Sequence, residues 1–184
     1  HCVFAVIIGT GTGGGLVINR QVIVGANAIS GEWGHNPLPW QQKTEASVQC
    51  YCGKFGCIET FLSGAGLSRL HAQLGGAKVS AERVASLSLA DNVIAAQEIA
   101  AQEIAAKAIE IYVGQFARAL ASVIKVIDPD VVVLGGGLSK IPFLPKRVES
   151  RLPEFVFSDH LSTRVVEATH GDSSGVRGAA WLPP

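Results

Sequence analysis

Residues 31–56 show neither a helical nor a strand period, and this constrains the chain more than any other feature. The segment holds Trp33, Pro37, Pro39 and Trp40 and runs directly into Cys50-Tyr51-Cys52-Gly53-Lys54-Phe55-Gly56-Cys57. So long a stretch without secondary structure is uncommon inside a domain and needs a staple of its own. His35, with fourteen residues between it and Cys50, completes a set of four donors with Cys50, Cys52 and Cys57. Three thiolates and an imidazole suit a closed tetrahedral zinc site. Gly53 and Gly56 let the chain turn tightly enough for the sulfurs to converge. The alternative is a disulfide between two of the three cysteines with His35 uninvolved, which a reducing compartment disfavours. A catalytic zinc would need an open position, and four protein donors leave none. Cys2, inside an apolar run, is read as a small buried hydrophobe.

The rest of the chain supplies an α/β framework for that loop. Its 184 residues are 48% apolar with zero formal net charge, enough for one domain with a core of its own. No run of like charges marks a nucleic-acid or anionic-membrane partner. The apolar runs are too short to cross a bilayer, so the expected compartment is the cytoplasm. Residues 3–8 read as an apolar strand, 16–18 and 22–24 as two further strands of an antiparallel meander, and 131–134 and 164–168 as later strands. Helical spacing returns at Ile58. From about Asn92 to Ile127 it places Ala101, Ile104, Ala105, Ala108, Ile111, Ala119, Leu120, Val123 and Ile127 on one stripe. The five-residue repeat of 95–99 in 100–104 matches no heptad or solenoid period and is read as a local duplication without function. Pro142 opens a helix toward Glu154, and 175–182 reads as a closing helix, giving the order βββαβαβα. Beginning at His1 on a strand, the chain is expected to be part of something longer, a processed natural terminus being the alternative.

Two glycine clusters and two carboxylates carry the remaining chemistry. Gly9-Thr10-Gly11-Thr12-Gly13-Gly14-Gly15 lies between two strands, where amides and threonine hydroxyls can surround phosphate. It is no Walker loop, since no Gly-Lys-Ser/Thr follows, and no dinucleotide fingerprint, since a strand follows it. The competing reading is a flexible hairpin turn, and the second cluster, Gly135-Gly136-Gly137 at a strand end, favours nucleotide use. Glu32 lies three residues before His35 and Glu59 two after Cys57. Two oriented carboxylates and an imidazole nitrogen suit the paired donors and acceptors of sugar hydroxyls. Solvated or helix-capping glutamates are the alternative. Trp33, Trp40 and Phe61 are read either as pocket wall or as core. Asp130, at a strand start, and Asp172, in a Gly-Asp-Ser-Ser turn, have local backbone roles that explain them without catalysis.

The segments Glu32-Trp33-Gly34-His35 and Cys50-x-Cys52-Gly53-x-x-Gly56-Cys57-Ile58-Glu59, with the two glycine clusters, resemble the ROK family of sugar kinases and repressors. The likeness runs through all 184 residues. Residues 31–40, 50–54 and 170–181 are most similar to the bacterial fructokinases, also called mannokinases, with the N-acetylglucosamine kinases close by. The resemblance implies an actin-like, ribonuclease H-like two-lobed fold, residues 1–184 being the second, C-terminal lobe with an inserted zinc loop at about 31–60. It implies that Glu32, His35 and Glu59 bind sugar, His35 also binding zinc. Thr10, Gly11 and Thr12 would approach phosphate and Gly135, Gly136 and Gly137 adenosine, with Mg²⁺ accompanying ATP. A homodimer is implied, with ATP and a hexose as ligands. A longer spacer between His35 and Cys50 and an alanine-rich helix depart from the family pattern.

The family's aspartate general base belongs to the first lobe, and no residue of this chain matches it. The implied activity of the full-length protein is phosphorylation of a hexose, most simply fructose to fructose 6-phosphate, with mannose, glucose and N-acetylglucosamine as alternatives. The chain alone is expected to be inactive, because phosphoryl transfer depends on placing the hydroxyl in line with the γ-phosphate. Turnover at about 1 to 100 per second would overturn that expectation. The competing classes are a sugar-sensing repressor with a DNA-binding module upstream of His1, and a zinc module serving only dimerisation.

Overall fold

The first strand shows why one face of the sheet is covered. In β1 (Cys2–Ile8), Phe4, Val6 and Ile8 are buried while the alternate Val3, Ala5 and Ile7 are partly open, the period of two that a pleated strand imposes. The computed structural model describes residues 1–89 and 95–171. Among them β1 pairs antiparallel with β2 (Thr12–Ile18), which pairs antiparallel with β3 (Gln21–Ile23), forming the expected meander. On its other edge β1 runs parallel to β4 (Val131–Gly135), and β4 runs parallel to β5 (Arg164–Glu167). The sheet order is β3-β2-β1-β4-β5, mixed because the meander and the crossover connections meet at β1.

Between β3 and β4 come the aperiodic segment and four helices, α1 (Ile58–Leu62), α2 (Gly64–Gln73), α3 (Ala81–Leu87) and α4 (Ala96–Ile127). Ser63 and Ser80 cap α2 and α3 by accepting the backbone N–H groups of Gly66 and Arg83. The 32 residues of α4 span about 48 Å. Its buried positions include the expected Ala105, Ala108, Ala119 and Leu120, whereas Ala101, Ile104, Ile111, Val123 and Ile127 are only half-buried. Ile109, Tyr112, Val113, Phe116 and Ile124 are buried as well. The reason is that α4 packs against α1, α2, α3 and α5 (Leu144–Arg151) and is enclosed on more than one side. The duplicated segment lies at its largely exposed start. Asp128 ends α4 in the left-handed conformation, φ 48°.

The second strand is longer than its sequence suggests. Gly13, Gly14 and Gly15 are strand residues paired with Ile7, Val6 and Ala5, so only residues 9–11 form the turn. Glycine is needed there for close packing. A Cβ on Gly14 would lie 2.8 Å from the Gly31 carbonyl oxygen, and one on Gly34 would lie 1.9 Å from that of Thr12. The backbone of residues 31–34 therefore lies directly on the face of β2. Trp33 is carried into the core, its Nε1–H donating to the Gly13 carbonyl at 2.9 Å and its ring against Phe4 and Phe116. Each of these rings contributes about 1.5–3 kcal/mol by leaving water. Trp33 and Phe61 are buried, whereas Trp40 is 56% exposed, stacked on Phe155 beneath Lys125. The Asp130 carboxylate accepts the Cys2 N–H at 2.6 Å, a backbone role as expected but across the β1–β4 pairing, 128 positions away, instead of within its own turn. The expected closing helix at 175–182, Asp172 and the expected helix start at Asn92 lie outside the described residues.

Candidate functional site

Backbone hydrogen bonds build the cysteine and histidine cluster before any metal is considered. Ile58 N–H donates to the Asn36 carbonyl and Glu59 N–H to that of Gly34, both at 2.8 Å. Leu38 N–H donates to Gly56, and Pro37 bridges Cys57. The first turn of α1 is thus tied to the turn that carries His35. A tight turn, with Gly53 N–H donating to Cys50 and Cys50 N–H to Lys54, brings the other sulfurs round. The donor atoms of His35, Cys50, Cys52 and Cys57 all lie within 4.8 Å of one another. Cys50 Sγ is 3.4 Å from His35 Nδ1, and Cys52 Sγ is 3.6 Å from Cys57 Sγ.

These spacings fit ligands placed about 2.0–2.3 Å from a common tetrahedral zinc, and they are far beyond a disulfide bond of about 2.05 Å. All four cysteines of the chain are free thiols. The Lys54 N–H pulls Cys52 down to about 7, while burial and the neighbouring sulfurs push Cys57 up to about 12. Metal binding must therefore displace the Cys57 proton. His35 Nδ1 faces the thiols, and its Nε2 is hydrogen-bonded to the Tyr51 hydroxyl at 2.7 Å.

The carboxylates border the same cluster. Glu59, in the first turn of α1, accepts the Thr12 N–H through Oε2 at 3.1 Å and lies 4.0 Å from Cys50 Sγ through Oε1. Glu32 accepts the Gly34 N–H at 3.1 Å. Partial desolvation, followed by the charges of Glu59, Cys50, Glu32 and Cys52, raises the Tyr51 hydroxyl above its usual range. A Cβ on Gly11 would lie 2.6 Å from Glu59 Oε2, and the Thr12 hydroxyl is buried without a hydrogen-bond partner. Gly11 and Thr12 thus belong to the Glu59 side of the site.

Thr10 faces a different space. A cleft of about 420 Å³ is lined by Gly9, Thr10, Gly64, Ser68, Ser80 and Gly137, so the two glycine clusters meet in one concavity. Gly64 N–H donates to the Gly9 carbonyl at 2.7 Å and fixes the turn to the start of α2. Of the triple glycine, Gly137 lines the cleft, Gly135 ends β4, and Gly136 makes the turn at φ 84°, where a Cβ would lie 2.3 Å from the Ile8 carbonyl oxygen. A second, more apolar hollow of about 320 Å³, lined by Ala85, Leu89, Ile141 and Pro142, shares Glu82, Gly137 and Leu138 with the first. The composite cleft offers a polar end beside Thr10 and an apolar end beside Ile141.

Sequence reasoning missed the second tie on the aperiodic segment. Glu45 forms a buried ion pair with Arg118 of α4, with 5–6% of either side chain exposed, and also accepts from Gln115 at 3.1 Å. Arg118 donates in addition to the Trp40 carbonyl at 2.6 Å. The only sequence signal would have been two polar residues interrupting the apolar surface of α4. Tyr51 was likewise unmarked in the sequence.

A model of the ROK family matches residues 1–184. An N-acetyl-D-glucosamine kinase of Escherichia coli O6:H1 is 36% identical over 185 residues, covering 98% of this chain and 58% of the relative. The chain thus spans under two thirds of the length of that relative. Among solved structures, a ROK family glucokinase from Streptomyces griseus in complex with glucose and AMPPNP superposes with a TM-score of 0.77 at 20% identity. It covers 97% of this chain and 59% of that one. A ROK hexokinase from Thermus thermophilus gives 0.75 at 25% identity, covering 97% and 57%. The mixed sheet with its helical cover is accordingly the actin-like α/β fold of these proteins, and the chain belongs to the ROK family.

Proposed function

We propose that residues 1–184 are the C-terminal lobe of an ATP-dependent hexose kinase, holding the sugar beside the cysteine and histidine cluster and ATP in the neighbouring cleft. The observation that carries this reading is the meeting of Gly9, Thr10 and Gly137 in one cleft, separated from Glu59 only by the short 9–11 turn. Amides and the Thr10 hydroxyl at the polar end suit phosphate oxygens, and the hollow beside Ile141 and Pro142 suits a purine. Glu59, Glu32 and the His35 imidazole accept from and donate to hexose hydroxyls, the sugar displacing the Tyr51 hydroxyl from His35 Nε2. Zinc held by His35, Cys50, Cys52 and Cys57 fixes that imidazole and the turn beside Glu59. Mg²⁺ bound with ATP neutralises charge developing on the transferred phosphoryl group.

The general base is an aspartate of the first lobe, as the family resemblance implies, so turnover belongs to the full-length protein. Fructose follows from the motif resemblance, part of which lies at 172–181 outside the described residues. The relationship to the Escherichia coli N-acetyl-D-glucosamine kinase supports that sugar as the second reading. The test is ADP release by the full-length protein on a panel of fructose, mannose, glucose and N-acetylglucosamine, with calorimetry of each sugar and of an ATP analogue. Saturable turnover with one hexose supports the kinase, sugar binding without nucleotide binding supports a repressor, and binding of neither supports a structural module.

A further inference from the structure

A cavity of about 180 Å³ lies away from the cleft, enclosed by α2, α4 and residues 42–46. It holds roughly six waters' worth of space, below the roughly 300 Å³ at which drug-sized pockets begin, so it suits an ion or a short acid. Its charged lining groups are Glu45 and Arg69. Glu45 is already satisfied. One carboxylate oxygen takes Arg118 and Gln115, and the other takes the Gln42 N–H at 2.7 Å. Its charge is therefore neutralised within the protein.

Arg69 is left over. It is half-buried on α2, and its guanidinium donates to the Thr60 carbonyl. Among the described residues no carboxylate pairs with it within 4.0 Å. A guanidinium offers five donors in a planar fork, so most of its capacity remains for something else. Desolvation lowers the Arg69 pKa, the mark of a cation withdrawn from water without a compensating anion. Gln42, Thr44 and Gln73 line the same cavity with exposed polar side chains that can complete a shell around an acceptor. We propose that this cavity binds a small oxyanion, a carboxylate or a phosphate, with Arg69 as its principal partner. The matched fork geometry of guanidinium with either anion gives the chemistry. The site is independent of the hexose and ATP assignments, since none of its lining residues belongs to them.

The test uses the ¹⁵N-labelled full-length protein titrated with sodium phosphate and, separately, with sodium succinate, against sodium chloride at matched ionic strength. The Arg69 Nε–H resonance, assigned by its loss in Arg69→Lys, reads this cavity and is insensitive to phosphate bound in the ATP cleft. The expected result is a saturating shift with at least one of the two oxyanions and none with chloride, the tighter one naming the ligand class. Gln73 is exposed, so its variants preserve the fold. Gln73→Glu is expected to weaken binding about tenfold, and Gln73→Lys to strengthen it by a similar factor, through the added charge at the mouth. Shifts that do not saturate, that chloride reproduces, or that ignore the charge at position 73 overturn the proposal.

Discussion

At Gly34 a single methyl group decides whether His35 can reach the thiols. The added Cβ would stand 1.9 Å from the Thr12 carbonyl oxygen, a backbone atom that cannot move without breaking the β1–β2 pairing. Gly34→Ala is therefore expected to destabilise the chain by about 3 kcal/mol or to prevent folding, read as a fall in the thermal midpoint. An unchanged midpoint would mean that residues 31–34 do not lie on β2. Glu59 sits at the other limit, where function is affected more than fold. Glu59→Gln keeps an oxygen for the Thr12 N–H but loses the charge that the proposed function assigns to a sugar hydroxyl. Hexose affinity of the full-length protein should fall by about 10- to 150-fold, the worth of a hydrogen bond to a charged group, with little change in thermal stability. Calorimetry and a thermal melt measure the two effects on one sample.

The segment 31–56 depends on two ties, and they predict different failures. Removing the sulfur of Cys57 leaves three donors and the buried ion pair intact. Cys57→Ser should lose bound zinc and hexose binding while the core, centred on Trp33 and Phe116, still melts cooperatively. Arg118→Met leaves the Glu45 carboxylate buried without its partner and should cost about 3–5 kcal/mol. The double variant Glu45→Leu, Arg118→Met should recover part of that loss, because no charge is then stranded.

The convergence of His35, Cys50, Cys52 and Cys57 was legible in sequence because thiolate and imidazole spacing follows coordination chemistry, whatever the fold around it. The strands β1, β4 and β5 were legible because their apolar runs end at clear turn signals. The Glu45–Arg118 pair was not, since 73 positions separate its members and nothing local marks either one. Sequence alone makes Gly13–15 a loop because glycine weakens an isolated strand, whereas here close approach of residues 31–34 outweighs that propensity. The single stripe expected on α4 is too narrow because a helix enclosed on several sides buries more than one face.

For the whole molecule, the sheet order explains why the two glycine turns meet in one cleft. β1 is central, so the turn that leaves it at residues 9–11 meets the turn leaving its parallel neighbour β4 at Gly136, and both open beside the start of α2. Ligands of open α/β sheets gather at such carboxyl ends of parallel strands. Among the described residues no helix is long and apolar enough to cross a membrane. The proposed hexose site rests on one tetrahedral metal ion that orients His35 and the Glu59 turn. The most direct measurement is zinc content and hexose calorimetry on the full-length protein before and after chelation and zinc return. One zinc per chain is expected, with hexose binding lost on its removal and recovered on its return; hexose affinity unchanged in the metal-free protein would overturn this role for the metal.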